Sequence, residues 1–349
     1  MDFAVSSCLK VLLYMQLSII IVNYKSSGFI CDCLASADAQ LLANEQIEWI
    51  VVDNDSQDDS KLTICNQFPF VQWIQMGYNA GFARANNEGI RRSNAQAVLL
   101  LNPDTLLIAG TIQACLDRLL SSNHIACGVQ LVHKDLRPQF SGSNFMKGGL
   151  NHLMPLPYWG SLLKKIAGIF KTSTPSVLQA QREQVIDWIS GAFLMVKKLT
   201  IDKAGLMDED FFLYAEEVEW CSRLGKQGSI CIYGDLQIIH LIGATIQEAT
   251  HSMDNSYENL YDKKGLQLMV SNHVRIRKQY GIAWFLFQLL NFTWSVPFAM
   301  FCCIIESVIQ LQSPLPALKQ YWALGKNVIE VWRLAPTIMG GKAHFYKCI

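Results

Sequence analysis

"LSIIIVNY", residues 17–24, is an almost unbroken apolar run that stops at an asparagine and a tyrosine. A strand with one wet face alternates apolar and polar residues. A run without that alternation is covered on both faces, as in a parallel sheet packed between helices. The design returns in "IEWIVVDNDS" (47–56) and "AVLLLNPDT" (97–105). Between these runs, the mixed segment 28–45, "SKLTICNQF" (60–68) and "NAGFARANNEGIRRS" (79–93) read as helices, and "VQWIQM" (71–76) as a short strand. Such alternation predicts an α/β fold with a mostly parallel sheet and helices on both faces. The apolar stretch Val11 to Val22 lacks a charge-rich start and a small-residue cleavage site. A signal peptide is therefore not expected, and Leu17 to Val22 is assigned to a buried strand.

In sheets of this kind ligands bind beyond the carboxyl ends of the strands. Three strands here end in polar clusters: Asn23-Tyr24, Asp53-Asn54-Asp55-Ser56 and Asn102-Pro103-Asp104. Asn, Asp, Pro and Ser also form ordinary turns, but three such clusters along one edge make a site expectation. Asp104, behind a proline at a strand end, suits Mg²⁺ or Mn²⁺, hard cations that bind oxygen and bridge to substrate phosphates. Asn102 would add a contact through water or to a ribose. The helix opening at Asn79-Ala80-Gly81 is expected to offer free backbone N–H groups to an anion, with Arg84 one turn further in as an added cation.

The stretch 134–185 is less regular, and its "KGGLNHLMPLPYWG" and "KTSTPS" portions suggest loops that shape a pocket. "VIDWISGAFLMVKK" (185–198) reads as a strand pair or a strand and bend, and "SICIYG" and "LQIIHLIGAT" as two further strands. Between them, "YAEEVEWCSRLGKQG" (214–228) sets Glu216, Glu217 and Glu219 within four residues. At helical spacing Glu216, Glu219 and Arg223 share a face, so Glu219 pairs with Arg223 and Glu217 is left to meet a substrate. The dipole of a helix start would keep Glu217 ionised, as a general base requires. A solvated acidic helix start is the plainer alternative. His240 closes an apolar strand, where a histidine is either structural or a metal ligand.

The 349 residues carry 29 basic and 29 acidic side chains, a balance that argues against a nucleic-acid binder. Eleven cysteines, an odd count without paired zinc-type spacing, fit reduced thiols. Hydrophobic residues make up 51% and mean hydropathy is +0.18, high for a soluble enzyme. The segment Ile282 to Ile305 holds no charged residue and is long enough to cross a bilayer as a helix. Gln288, Asn291 and Pro297 suit a broken or interfacial helix instead. Cations of "HVRIRKQY" (273–280) precede it, while Lys319, Lys326 and Arg333 follow it. Membrane association is expected, with crossing and orientation left open.

Taken in order, "VNYKS", "VDNDSQDDS", "GYNAGFARANNEGI", "LLNPDT", "ISGAFLMVKK" and "GLMDEDFFLYAEEVEWCSRLGKQG" resemble the family 2 inverting glycosyltransferases, especially their bacterial rhamnosyltransferase-like and galactofuranosyltransferase-like branch. The resemblance runs from about Leu17 to Thr245. It implies a GT-A fold at 1–265, followed by a hydrophobic helical region at 266–349. It implies a nucleotide-sugar donor over the strand ends, dTDP-L-rhamnose first and a UDP-sugar second. A saccharide or polyprenyl-diphosphate-linked acceptor would be used at the cytoplasmic face of the membrane, in cell-surface polysaccharide synthesis. Asp53 matches the acid that contacts the nucleotide base, with Asn23 and Tyr24 in the same pocket. Asn102-Pro103-Asp104 stands where the family has its DxD metal motif, Asp104 matching its last acid. Glu217 matches the catalytic base, and His240 a histidine on the metal. The first DxD acid is Asn102 here, and the base is Glu in place of the commoner Asp, so Glu216 and Glu219 stay as substitutes.

Two rival classes remain. A nicotinamide-dependent oxidoreductase needs GxGxxG directly after the first strand, where this chain reads "VNYKSSGF". A non-catalytic membrane-bound assembly protein with a degenerate transferase fold is the alternative that Asn102 and Glu217 raise.

Overall fold

The computed structural model describes residues 15–169, 176–241 and 259–349. The start of the Val11–Val22 run, most of "KTSTPS" and residues 242–245 of the last expected strand lie outside that set.

Strands and helices alternate through the first half: β1 (Leu17–Asn23), α1 (Ser27–Ala35), α2 (Ala39–Leu42), β2 (Ile47–Asp53), α3 (Ser60–Gln67), β3 (Val71–Gln75), α4 (Gly81–Arg92), β4 (Ala97–Leu101), β5 (Thr105–Leu107), α5 (Thr111–Ser121) and β6 (Ala126–Val132). The irregular stretch holds β7 (Gly142–Ser143), a 3-10 segment at Lys147–Leu153, α6 (Trp159–Ile169) and β8 (Ser176–Val177). There follow β9 (Gln184–Ile186), β10 (Trp188–Ile189), β11 (Phe193–Lys197), α7 (Lys198–Ala204), α8 (Glu216–Leu224) and β12 (Ile230–His240). Three long helices end the chain: α9 (Lys263–Tyr280), α10 (Ile282–Ile309) and α11 (Leu315–Gly340).

The main sheet runs β3-β2-β1-β4-β11-β6-β12-β5, with β9 also on β12. Strands β3, β2, β1 and β4 are parallel, β11 is inserted antiparallel, and β6 and β12 are again parallel. The carboxyl ends of β1, β2, β3, β4, β6 and β12 therefore share one edge. The two strands expected from "SICIYG" and "LQIIHLIGAT" are one, β12, whose register against β6 shifts between Tyr233 and Gln237. Gly234 absorbs the irregularity, since a Cβ there would lie 2.2 Å from the Gln181 carbonyl oxygen.

Period-two alternation distributes β1 between two cores. Leu17, Ile19 and Ile21 pack with Ile30, Leu34 and Leu116 on one face. Ile20 and Val22 pack with Ala83, Ile90 and Trp220 on the other. All seven β1 residues are buried, as a strand covered on both sides requires. The long C-terminal helices have a third core, in which Phe285, Leu289, Phe292, Leu324 and Val328 meet Leu153, Leu156, Phe211 and Ala215. The helical region thus shares its interior with the segments that flank α8. Helix α9, the first of the three, begins at Lys263. Pro297 sits within a continuous α10.

Candidate active site

Register brings the first group together. Asn23 lies opposite Asp53, and Asp53 opposite Gln75. Asp53 is 3% exposed, which is tolerable for a carboxylate only when its oxygens are filled. Asn23 Nδ2 (2.7 Å) and Ser56 Oγ (2.6 Å) donate to its Oδ1, while the Ser56 amide (3.0 Å) and Gln75 Nε2 (2.6 Å) donate to Oδ2. Asn23 Oδ1 in turn accepts from the Ser26 amide and hydroxyl. Tyr24 stands half-buried beside this network. Ser56 belongs to the polar cluster expected at this strand end, whereas Gln75 was not singled out from sequence, although it obeys the same strand-end rule.

The helix opening differs from the sequence expectation. The Ala80 amide donates to Asn54 Oδ1 (2.7 Å), the Gly81 amide to Asn79 Oδ1 (3.2 Å) and the Phe82 amide to the Phe212 carbonyl (2.8 Å). These three N–H groups are used internally and are not free for an anion. Arg84 is also committed: its Nε donates to the Glu209 carbonyl, and its guanidinium stacks 3.8 Å from the Phe345 ring centroid. The opening serves instead to hold the loop ahead of α8. Gly81 has φ +78°, and a Cβ would lie 2.4 Å from the Phe212 carbonyl oxygen, so only glycine admits this approach. Asn87 grips Met207 from the same helix, and Arg91 pairs with Glu209.

The second group forms where β5 meets β12. Thr105 lies opposite His240, and the Leu241 amide donates to the Asp104 carbonyl. This sets His240 Nε2 3.6 Å from Asp104 Oδ1, both groups buried. Gln139 fixes the ring: its Oε1 lies 3.2 Å from Nδ1, and its Nε2 donates to the His240 carbonyl. An oxygen acceptor at Nδ1 places the proton there and leaves a lone pair on Nε2. That Nε2 has no hydrogen-bond partner. An orphaned lone pair facing a carboxylate oxygen, with its imidazole oriented by a second residue, fits a divalent cation. Among the described residues no group of three ligating side chains occurs. Two protein ligands are enough for a cation that takes the rest of its shell from water and substrate phosphates. Asn102 is half-exposed at the end of β4, its backbone held by Ala192 and Thr105. Gln139 gave no sequence signal, since it comes from a loop that nothing local ties to the sheet edge.

The third group is α8. Two consecutive left-handed residues, Tyr214 (φ 71°) and Ala215 (φ 65°), precede it. Each costs about 1–2 kcal/mol outside glycine, and such strain persists where surrounding structure imposes it. Ser271 on α9 anchors the Leu213 carbonyl (2.7 Å). Glu219 is bound by Arg223 through Nε (2.8 Å) and Nη2 (2.8 Å). Glu216 is 3% exposed with Oε2 unpartnered; burial and the neighbouring Glu217 push its carboxyl well above the usual range. Glu217 is half-buried beside Gly191, which Phe82 also approaches. Burial raises its carboxyl to about 6, opposed by backbone N–H groups of Glu217 and Val218 and by the Arg275 charge. The helix start alone therefore does not set its ionisation: desolvation is the larger influence. Within the pair Glu216 keeps its proton and Glu217 ionises first. A carboxylate poised near 6 suits proton abstraction at neutral pH.

Strand-end acids, an oriented histidine and a poised glutamate are the equipment of group transfer from a phosphorylated donor. Residues 18–176 match glycosyl transferase family 2. The hexosyltransferase Agl10 of low-salt glycan biosynthesis in Haloferax volcanii is 26% identical over 298 residues, 84% of this chain and 87% of that one. The N-acetylglucosaminyl-diphospho-decaprenol L-rhamnosyltransferase of Mycobacterium tuberculosis is 25% identical over 232 residues, 62% of this chain and 73% of that one. The mannosyltransferase PcManGT of Pyrobaculum calidifontis, solved with GDP-Man and Mn²⁺, shares the fold at a TM-score of 0.53 and 14% identity, over 93% of this chain and 87% of that one. With the GT-A architecture and these relatives in agreement, residues 18–176 carry a glycosyl transferase family 2 domain, and the chain is a glycosyltransferase that resembles rhamnosyltransferases and a hexosyltransferase.

Proposed function

We propose that the protein transfers L-rhamnose from dTDP-L-rhamnose, with a UDP-sugar as second choice, to a hydroxyl of a lipid-linked saccharide. What supports this reading is that Asp53 and the Asp104–His240 pair stand at the carboxyl-end edge of the sheet, with Glu217 beside Gly191 just ahead of β11. Asn23, Tyr24 and Asp53 would receive the nucleotide base, with Gln75 exchanging its hydrogen bond to Asp53 for one to the ring. Asp104 and His240 would hold Mn²⁺ or Mg²⁺, and the imidazole nitrogen favours Mn²⁺. Such a cation supplies neutralisation of charge on the departing nucleoside diphosphate. Glu217 would accept the acceptor hydroxyl's proton as that oxygen attacks the anomeric carbon. One displacement from the face opposite the leaving group inverts configuration. The test is nucleotide release from a panel of sugar nucleotides, with and without Mn²⁺ and with a polyprenyl-diphosphate saccharide. Metal-dependent turnover of dTDP-L-rhamnose is expected; turnover of another donor alone would replace the sugar, and no turnover with any pairing would return the assembly-protein alternative.

Helix α10 bears on where this happens. Phe287, Leu290, Trp294, Phe301, Ile305 and Ile309 are exposed along one stripe, at helical spacing. Phe285, Gln288, Leu289, Phe292, Ala299 and Cys303 are buried along the other. Gln288 Nε2 donates to the Gly148 and Gly149 carbonyls, so one face is fixed to the catalytic unit. On α11, exposed Lys319, Trp322, Lys326, Ile329 and Arg333 continue a basic, tryptophan-bearing surface. A helix bound to protein along one side and apolar along the other suits lying in the interface plane of an anionic leaflet. This reading places the enzyme on the cytoplasmic membrane face, where a lipid-linked acceptor presents its sugar. Vesicles with anionic lipid should float the protein, and Trp294→Glu with Phe301→Glu should abolish flotation. Alkaline carbonate should strip it from membranes; retention there would mean that α10 crosses.

A further inference from the structure

Helix α9 carries an arginine that the reaction as described does not use. Arg275 is 1% exposed, among the largest fully buried side chains. Its Nη1 donates to Gln279, while Nε and Nη2 have no hydrogen-bond partner. Among the described residues no carboxylate lies within 4.0 Å of it, although Arg84, Arg91, Arg92, Arg118, Arg137, Arg182, Arg223 and Arg333 all have one. A guanidinium taken out of water with no counter-charge is costly. Such a residue is kept where its charge acts on a neighbour.

Helix α9 packs against α8, whose acids decide which neighbour that is. Glu219 is neutralised by Arg223. Glu216 holds its proton, and Cys221 is a neutral thiol, pushed up to about 12 by burial. Glu217 alone on that helix is an anion without a cation of its own. Around Arg275 itself stand Tyr280, whose hydroxyl acts on the guanidinium and whose ring centroid lies 6.0 Å from it, and Gly149 of the 3-10 segment, whose added Cβ would lie 3.0 Å from Nη2. His152 and His273 lie near and are neutral, each lowered first by burial. Asp187 faces Tyr280 from the β9–β10 connection.

We propose that Arg275 is a positioning residue, the counter-charge delivered from the C-terminal helices that holds the Glu217 carboxylate as an anion. This rests on Glu217 being the base. The consequence is that the helical region does more than reach the membrane, because it supplies the charge against which the base works. The Arg275–Glu217 attraction opposes the desolvation of Glu217, and Gly149 gives the guanidinium its room.

The experiment compares the pH dependence of kcat for wild type, Arg275→Gln and Arg275→Lys. Arg275→Gln should move the acid limb upward by about one pH unit, and Arg275→Lys, which keeps the charge, should leave it near the wild-type position. A merely structural role would lower the yield of folded enzyme in both variants without moving the limb. An unmoved limb in Arg275→Gln overturns the proposal. If Arg275→Gln does not fold, thermal melting of Glu217→Gln, Arg275→Met and the double variant decides. The double variant should be more stable than the two single effects sum to, and strict additivity rejects the coupling. Should Glu217→Gln keep wild-type turnover, the base assignment fails and not the coupling, which the melts still read.

Discussion

Glu217→Gln is expected to lower kcat by about a thousandfold, within the range that general-base catalysis contributes, while donor binding stays within a few-fold. The substitution keeps the shape and the amide-to-backbone contacts at the start of α8 but removes the lone pair that takes the acceptor's proton. The pH profile should carry the same signature. Because burial lifts the carboxyl to about 6, the base is ionised above that value and protonated below it. Wild-type kcat should therefore fall close to tenfold per unit below about pH 6 and level off above it. A profile flat to pH 5, or a Gln variant with wild-type kcat, moves the base to Glu216. That residue is the weaker candidate, because its burial and high proton affinity hold it neutral. Glu219, in its two-point contact with Arg223, is weaker still.

Asp104→Asn is expected to cost on the order of a thousandfold in turnover, the equivalent of several kcal/mol of charge stabilisation on the leaving diphosphate. The asparagine side chain keeps the size of Asp104 and the backbone link to Leu241. A fall in activity would then reflect the lost charge and not a lost strand end. Mn²⁺ binding with nucleoside diphosphate present, followed by electron paramagnetic resonance, reads the site without turnover. The affinity should drop in Asp104→Asn and in His240→Ala, and more mildly, by about 10–100-fold, in Gln139→Leu, which only orients the imidazole. Unchanged Mn²⁺ affinity in all three variants would mean that the pair is structural.

How far the sequence could be read depended on the range of the physics involved. The strands of the first half were legible because burial on both faces writes itself into consecutive residues, as in β1 and β4. Their polar ends were legible for the same reason, and register then joined Asn23 to Asp53 without further information. The helix start at Asn79–Gly81 was misread in detail, because its partners, Asn54 and Phe212, lie 26 and 130 positions from the Ala80 and Phe82 amides that they occupy. Nothing within the motif shows that. The same holds for Gln139 on His240 and for Arg275 beside α8. The single strand β12 was read as two, "SICIYG" and "LQIIHLIGAT", whereas β6 pairs with it on both sides of an irregular register. Local rules found Asp104 and His240, and long-range packing decided which of their atoms were left free.

The loop ahead of Glu217 is also held from its far side. The His344 amide donates to Asp210 across 134 positions, the Tyr346 amide donates to the Asp210 carbonyl, and Gln267 holds the Tyr346 carbonyl and the Cys348 amide. Contacts so distant in sequence close late, since the entropy of joining their ends must be met before they hold. During synthesis the strand edge can form while residues 344–348 are still unmade, and domains generally fold from the N-terminus onward. The strained turn at Tyr214–Ala215 would then be the last part of the site to set. A nascent chain would bind nucleotide before it could do chemistry, and the order in which the polypeptide emerges becomes the order in which the enzyme acquires its functions.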